Sequence, residues 1–136
     1  MIRLKIVLLG CLFATLALAA CAGSSSSTTT DTQVVDGLTF ALERPSSITP
    51  LQDYELTLTL SDAAGKPLDG ATVFLEQDMP GMPMGSTQPL GEPLGSGKYR
   101  IKGVFTMDGK WILKMHATVA GQDHVASFEQ VVSPAK

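Results

Sequence analysis

The sequence predicts an all-β chain folded as an antiparallel β-sandwich of about seven strands. Two observations lead there: apolar and polar residues alternate with a period of two along several segments, and turn signals separate those segments at short intervals. A third agrees with them, since no segment shows a helical period.

Each strand has its own pattern. The first is expected near Leu38 to Leu42. In the second, Tyr54, Leu56, Leu58 and Leu60 alternate with Glu55, Thr57, Thr59 and Ser61. Ala71, Val73 and Leu75 mark the third, with Phe74 on its other face. Tyr99, Ile101 and Phe105 alternate with Arg100, Lys102 and Val104 in the next. Trp111, Leu113, Met115, Ala117 and Val119 share one face of a long strand, with Lys114, His116 and Thr118 opposite. The last runs from near His124 to Val132, with Phe128 inward. Asp62 to Pro67 and Asp69-Gly70 read as turns, Asp108-Gly109 as a tight hairpin between Phe105 and Trp111, and Gly121-Gln122-Asp123 as the turn of the final pair. The antibody-type cysteine pair is absent, so an immunoglobulin-like label refers to architecture only.

The start of the chain has a different grammar. Met1 to Lys5 carries two positive charges and no acid, and Ile6 to Ala20 is an unbroken apolar and small-residue run. That run is shorter than the about 20 residues a membrane-spanning helix needs, and it fits a secretory signal. It ends in Leu18-Ala19-Ala20-Cys21, which resembles the lipobox of bacterial lipoproteins. Residues 1–20 are therefore expected to be removed and Cys21 to receive a diacylglycerol thioether. Several acyl chains on one residue, each contributing about 0.8 kcal/mol per buried methylene, give lasting attachment to a bilayer. Cys11 leaves with the leader, so the mature chain has one, acylated, cysteine and neither a disulfide nor a cysteine metal site. Residues 21–33, with Ser24 to Thr30 as an unbroken Ser/Thr run, read as lipidated cysteine and flexible tether. Residues 34–136 are then the domain. The cysteine is followed by Ala22 rather than aspartate, which points to the periplasmic side of the outer membrane. The inner membrane, or the outside of a Gram-positive cell, are the alternatives.

Loss of Arg3 and Lys5 takes the formal charge from −3 to −5. With no basic patch, nucleic acid is not an expected partner. Enzyme signatures are lacking as well: H-E-x-x-H, G-x-S-x-G and a phosphate-binding glycine loop are all missing from the sequence. The expectation is a non-catalytic binding domain.

One segment stands out for chemistry. Asp78-Met79-Pro80-Gly81-Met82-Pro83-Met84-Gly85 holds three of the six methionines, and its prolines and glycines make it a loop. Neutral, polarisable thioethers suit Cu(I) and bind Zn, Mg or Ca poorly. His116 and His124, the two histidines, are the imidazoles that would complete such a site with Met79, Met82 and Met84. Pairing through the Gly121 turn places His116 opposite about Ser127 and solvent-facing, and His124 near Thr118. The alternative is that the loop methionines pack over the open end of the sandwich, or form a contact surface for an envelope protein. Met107 and Met115 read as core or hairpin residues, and Trp111 as a core anchor.

Taken in order, Asp62, Gly65-Lys66-Pro67-Leu68, Gly70-Ala71-Thr72-Val73, Met79-Pro80, Met84-Gly85, Gly97-Lys98-Tyr99 and Met107-Asp108-Gly109-Lys110-Trp111 resemble YtkA-like domains. More distantly they are similar to the periplasmic part of FixH-like proteins. The resemblance covers residues 35–133. It implies an exported, non-enzymatic, immunoglobulin-like module akin to copper-handling proteins, in the service of cytochrome oxidase assembly or metal traffic. One departure matters: Ser86-Thr87 follows Met84-Gly85 where relatives often carry a histidine.

Overall fold

The structure, a computed structural model, describes residues 27–82 and 87–135. The leader, Cys21 and Met84 lie outside the described residues. Eight strands follow one another: β1 (Thr28–Val35), β2 (Leu38–Pro45), β3 (Asp53–Ser61), β4 (Thr72–Asp78), β5 (Glu92–Gly95), β6 (Lys98–Val104), β7 (Gly109–Val119) and β8 (Gln122–Val132). They form two antiparallel sheets, ordered β1-β2-β3-β6-β5 and β4-β7-β8. This is the predicted β-sandwich, with one strand more than expected.

Period-two alternation produces the core directly, because successive side chains on a strand point to opposite faces. Tyr54, Leu56, Leu58 and Leu60 of β3 turn inward and meet Trp111, Leu113, Met115 and Ala117 of β7 and Phe128 of β8 in one buried cluster. Phe74 faces outward, as its place in the pattern predicted, and stacks on His116 at 4.2 Å between ring centroids.

Three hairpins are two-residue turns with both central residues at positive φ: Asp36-Gly37, Ser96-Gly97 and Ala120-Gly121. This is the type I′ geometry whose twist suits paired strands. The expected hairpin at Asp108-Gly109 is not one. β6 pairs with β3 and β5, whereas β7 pairs with β4 and β8, so residues 105–108 cross between the sheets. A D-G pair sets a local bend; which sheet the next strand joins is decided by packing.

The domain also begins earlier than expected. Thr28 to Gln33, read as tether, lie in β1 and pair with β2 in continuous register from Thr28↔Pro45 to Val35↔Leu38. An edge strand is held by backbone hydrogen bonds and needs few apolar side chains, so a threonine-rich segment serves. β5 was missed for a similar reason: its four residues are all exposed.

The open sides of the sandwich are closed by unlike devices. On one side, segment 89–91 lies along β4, with Leu75 donating its N–H to the Pro89 carbonyl at 3.0 Å and Gly91 to Val73 at 2.8 Å. On the other, the side chains of Gln33 and Arg44 reach over from the first sheet to the carbonyls of Ser127 and Glu129 on β8. Arg44 also donates to Gln130 Oε1 at 2.9 Å and pairs with Asp31.

The strand directions sort the connections into two ends. One carries Ser27, loop 46–52, the turn after β4, crossing 105–108 and the residues after β8. The other carries the three hairpins and the Asp62–Gly70 connection. They are called here the methionine end and the hairpin end.

Candidate functional site

At the methionine end, β4 runs straight into Met79-Pro80-Gly81-Met82. Met82 donates its N–H to the Met79 carbonyl at 3.1 Å, and Gly81 sits at φ 83°. Proline second and a positive-φ glycine third are what a type II turn demands. Met79 and Met82 thereby become bridge partners. Directly opposed residues carry their side chains on one face with Cβ atoms roughly 5 Å apart. Their settings differ: Met79 is 7% exposed and Met82 44%. The Met79 methyl lies against Gly109, within 3.3 Å of where a Cβ would stand there.

Met107 packs half-buried against the core in the neighbouring crossing, and its carbonyl accepts the Trp111 indole N–H at 3.1 Å. Trp111 packs against Phe105, and Phe105 against Tyr54, with ring centroids 5.2 and 4.7 Å apart. This aromatic chain is the floor of the methionine end, as the core-anchor reading of Trp111 implied.

Beside it opens a cleft of about 590 Å³ between β4 and β6, lined by Gln77, Thr87, Pro89, Lys102, Gly103 and Trp111 among others. It exists because β5 is only four residues long and leaves the end of β6 without a neighbour on that side. Polar groups at its wall are chained: Thr87 donates to Gln77 Oε1 at 3.1 Å, and Gln77 Nε2 donates to the Tyr54 hydroxyl at 2.9 Å. Burial pushes the Tyr54 phenol far above its ordinary pKa, and the Gln77 hydrogen bond offsets this only in part. The phenol is thus a neutral hydrogen-bonding group at any physiological pH. Sequence reasoning missed this cleft; the one hint was Gly103, a glycine at an inward-facing position of β6.

The two histidines lie elsewhere. His116 is opposite Val125, not Ser127, and pairs on its other side with Phe74, five residues back from Met79 along β4. At strand rise that is roughly 16 Å from the methionine turn. It sits on the outer face of its sheet but is not solvent-facing: Phe74 covers it and its side chain is 14% exposed. Its Nδ1 is 2.8 Å from Asp123, while Nε2 is buried without a hydrogen-bond partner among the described residues, 3.7 Å from Glu76. Glu76 in turn pairs with Lys114 at 2.7 Å, and that contact first, with His116 a lesser contributor, holds its carboxyl below the ordinary range.

His124 pairs with Ala117, one residue from the expected Thr118, and turns inward at 8% exposure. Its Nδ1 meets Asp36 of the first hairpin at 3.1 Å. Register puts it at the hairpin end. The five residues read as a soft-metal set are therefore divided: Met79 and Met82 come together, His116 and His124 stand apart from them and from each other's partners, and Met84 lies outside the described residues. Among the described residues, no group of three His, Cys, Asp or Glu side chains is arranged to hold a metal ion.

Fold and site together define a small antiparallel β-sandwich domain with a methionine-bearing turn at one end and a cleft beside it. The sequence profile of YtkA-like domains matches residues 32–116, and the chain belongs to that family. Among solved structures, the PmoD soluble domain from Methylocystis sp. ATCC 49242 (Rockwell) is similar over 75% of this chain and 96% of that one, with 14% identity and a TM-score of 0.48. No curated protein matches.

Proposed function

We propose that the chain is an exported lipoprotein, anchored through Cys21, whose YtkA-like domain binds rather than catalyses and handles Cu(I) at its methionine end. The observation that carries the copper reading is the type II turn that makes Met79 and Met82 bridge partners. Two neutral thioethers on one face, with Met84 two residues further along the chain, form a soft donor set suited to Cu(I). The separation of His116 and His124 from this turn makes the proposed site a thioether site without imidazole. The exported location and the lipid anchor rest on the leader and on Leu18-Ala19-Ala20-Cys21.

The test is a Cu(I) titration against a competing chelator on the chain from residue 22 onward, which retains all eight strands. Changing Met79, Met82 and Met84 together to leucine keeps side-chain volume and removes sulfur. Binding is expected to weaken by about tenfold or more, equivalent to about 1.4 kcal/mol. Equal affinity of the two proteins would end the copper reading.

A second reading, an envelope adaptor that binds protein and no metal, is favoured by the cleft beside the turn, where Thr87 and Gln77 are hydrogen-bonded at the wall. It expects the leucine triple variant to keep its partner, and Gln77→Ala to weaken it in a pull-down from solubilised membranes.

A further inference from the structure

We infer that the methionine end is the membrane-facing end of the domain, and that Leu51 and Met82 seat it in the interfacial layer of the bilayer. The inference rests on the reading of Cys21 as the lipid anchor and adds the orientation that the fold imposes on it.

The first argument is the length of the leash. Ser27 is already part of the fold: its carbonyl accepts the Ser46 N–H at 2.9 Å and the two hydroxyls meet. Cys21 and Ser27 are six residues apart, so fully extended chain allows at most about 20–22 Å between them. The sandwich is longer than that, since the eleven residues of β7 extend roughly 35 Å. Ser27 and Thr28 lie at the methionine end. An anchor at Cys21 therefore holds that end close to the bilayer, and the hairpin end is out of reach of it.

The second argument is what this end displays. Leu51 is 76% exposed at φ 61°, a left-handed conformation that costs a non-glycine residue energy. Its N–H is fixed to the Phe105 carbonyl at 2.8 Å, so the fold holds this leucine outward. Met82 at 44% and Val104 at 37% exposure stand at the same end. Val34 and Leu94 are exposed beside the hairpin turns as well, but the leash keeps them from the bilayer, and the outer sheet faces carry ion pairs: Lys114 with Glu76, Lys102 with Glu55, Arg100 with Glu92. A leucine is held outward at the tethered end, with Met82, Val104 and Val131 exposed at that end and Asp53, Asp108 and Lys110 among them. This suits a domain that stands end-on in the interface, where apolar side chains enter and charged ones stay at headgroup level.

The experiment uses the lipoprotein extracted from membranes and reconstituted into phosphatidylcholine vesicles. Acylation blocks Cys21, so Gln52→Cys and, separately, Gln122→Cys each give one thiol for an environment-sensitive dye. The dye at position 52 is expected to shift to the blue, brighten severalfold and be quenched by lipids spin-labelled near the headgroup; the dye at 122 is expected to remain water-like. Adding Leu51→Asp to the first variant should abolish the change. Water-like emission at both positions would overturn the docking while leaving the anchor intact. Burial of position 52 in native membranes but not in pure lipid would overturn it in favour of a membrane protein. A mass spectrum showing unacylated Cys21 would overturn the anchor reading itself and this orientation with it.

Discussion

Gly103 occupies an inward-facing position of β6, where the alternation of Tyr99 and Ile101 calls for another large apolar residue. The Tyr54 hydroxyl fills the space instead, and any Cβ at 103 would overlap it. Gly103→Ala should therefore destabilise the fold by about 1–3 kcal/mol, the usual cost of overpacking. Denaturant unfolding checks this, and adding Tyr54→Phe should recover part of the loss. A second residue-scale outcome concerns acid. Lys114 holds the Glu76 carboxyl below its ordinary value, so the pair stabilises the fold above the ordinary carboxylate range and is lost as pH falls through the lowered value. Glu76→Gln should lower the melting temperature slightly at neutral pH, and the gap from wild type should close on acidification below about pH 4. At this scale the sequence was legible where a residue's role follows from parity. Trp111, Met115 and Phe128 are core as their strand positions demand. Met79 and Met82 were legible only as members of one loop; the type II turn at Pro80-Gly81 is what makes them neighbours. The partners of His116 and His124 were not legible: the two-residue Ala120-Gly121 turn sets the register one to two residues from the expected one, and Phe74 and Asp36 come from chain far away.

At the scale of elements, the strands that declared themselves are those with one face in the core. β1 and β5 carry almost no burial signal and exist through backbone pairing. The crossing at 105–108 was misread for the converse reason: its D-G signal is local, whereas the choice of sheet is global. β1 gives the sharpest test. A chain starting at residue 34 would lose most of β1, including Asp31 and Gln33, and leave the β2 backbone unpaired beside Arg44. It should unfold at lower denaturant than a chain starting at residue 22, and it should self-associate through the bared edge. Unfolding curves and sedimentation of the two chains decide it. Identical stability and a monomeric short form would show that β1 contributes nothing.

Across the whole molecule, topology converts a local arrangement into an orientation. Strand directions gather Ser27, the methionine turn and the cleft at one end, and leave the hairpins at the other. The fold class was legible because period and turn spacing repeat along the whole chain; the pairing order β1-β2-β3-β6-β5 was not, since it joins segments distant in sequence. The clasp of Gln33 and Arg44 over β8 has a consequence at this scale too. Lipid-anchored chains share a surface rather than a volume, which raises the frequency with which neighbours collide in similar orientations. Under such crowding a bare strand invites polymerisation, each copy templating the next. By placing an amide and a guanidinium on the carbonyls of its own last strand, the domain would meet the crowding of the proposed lipid anchorage with that edge already engaged.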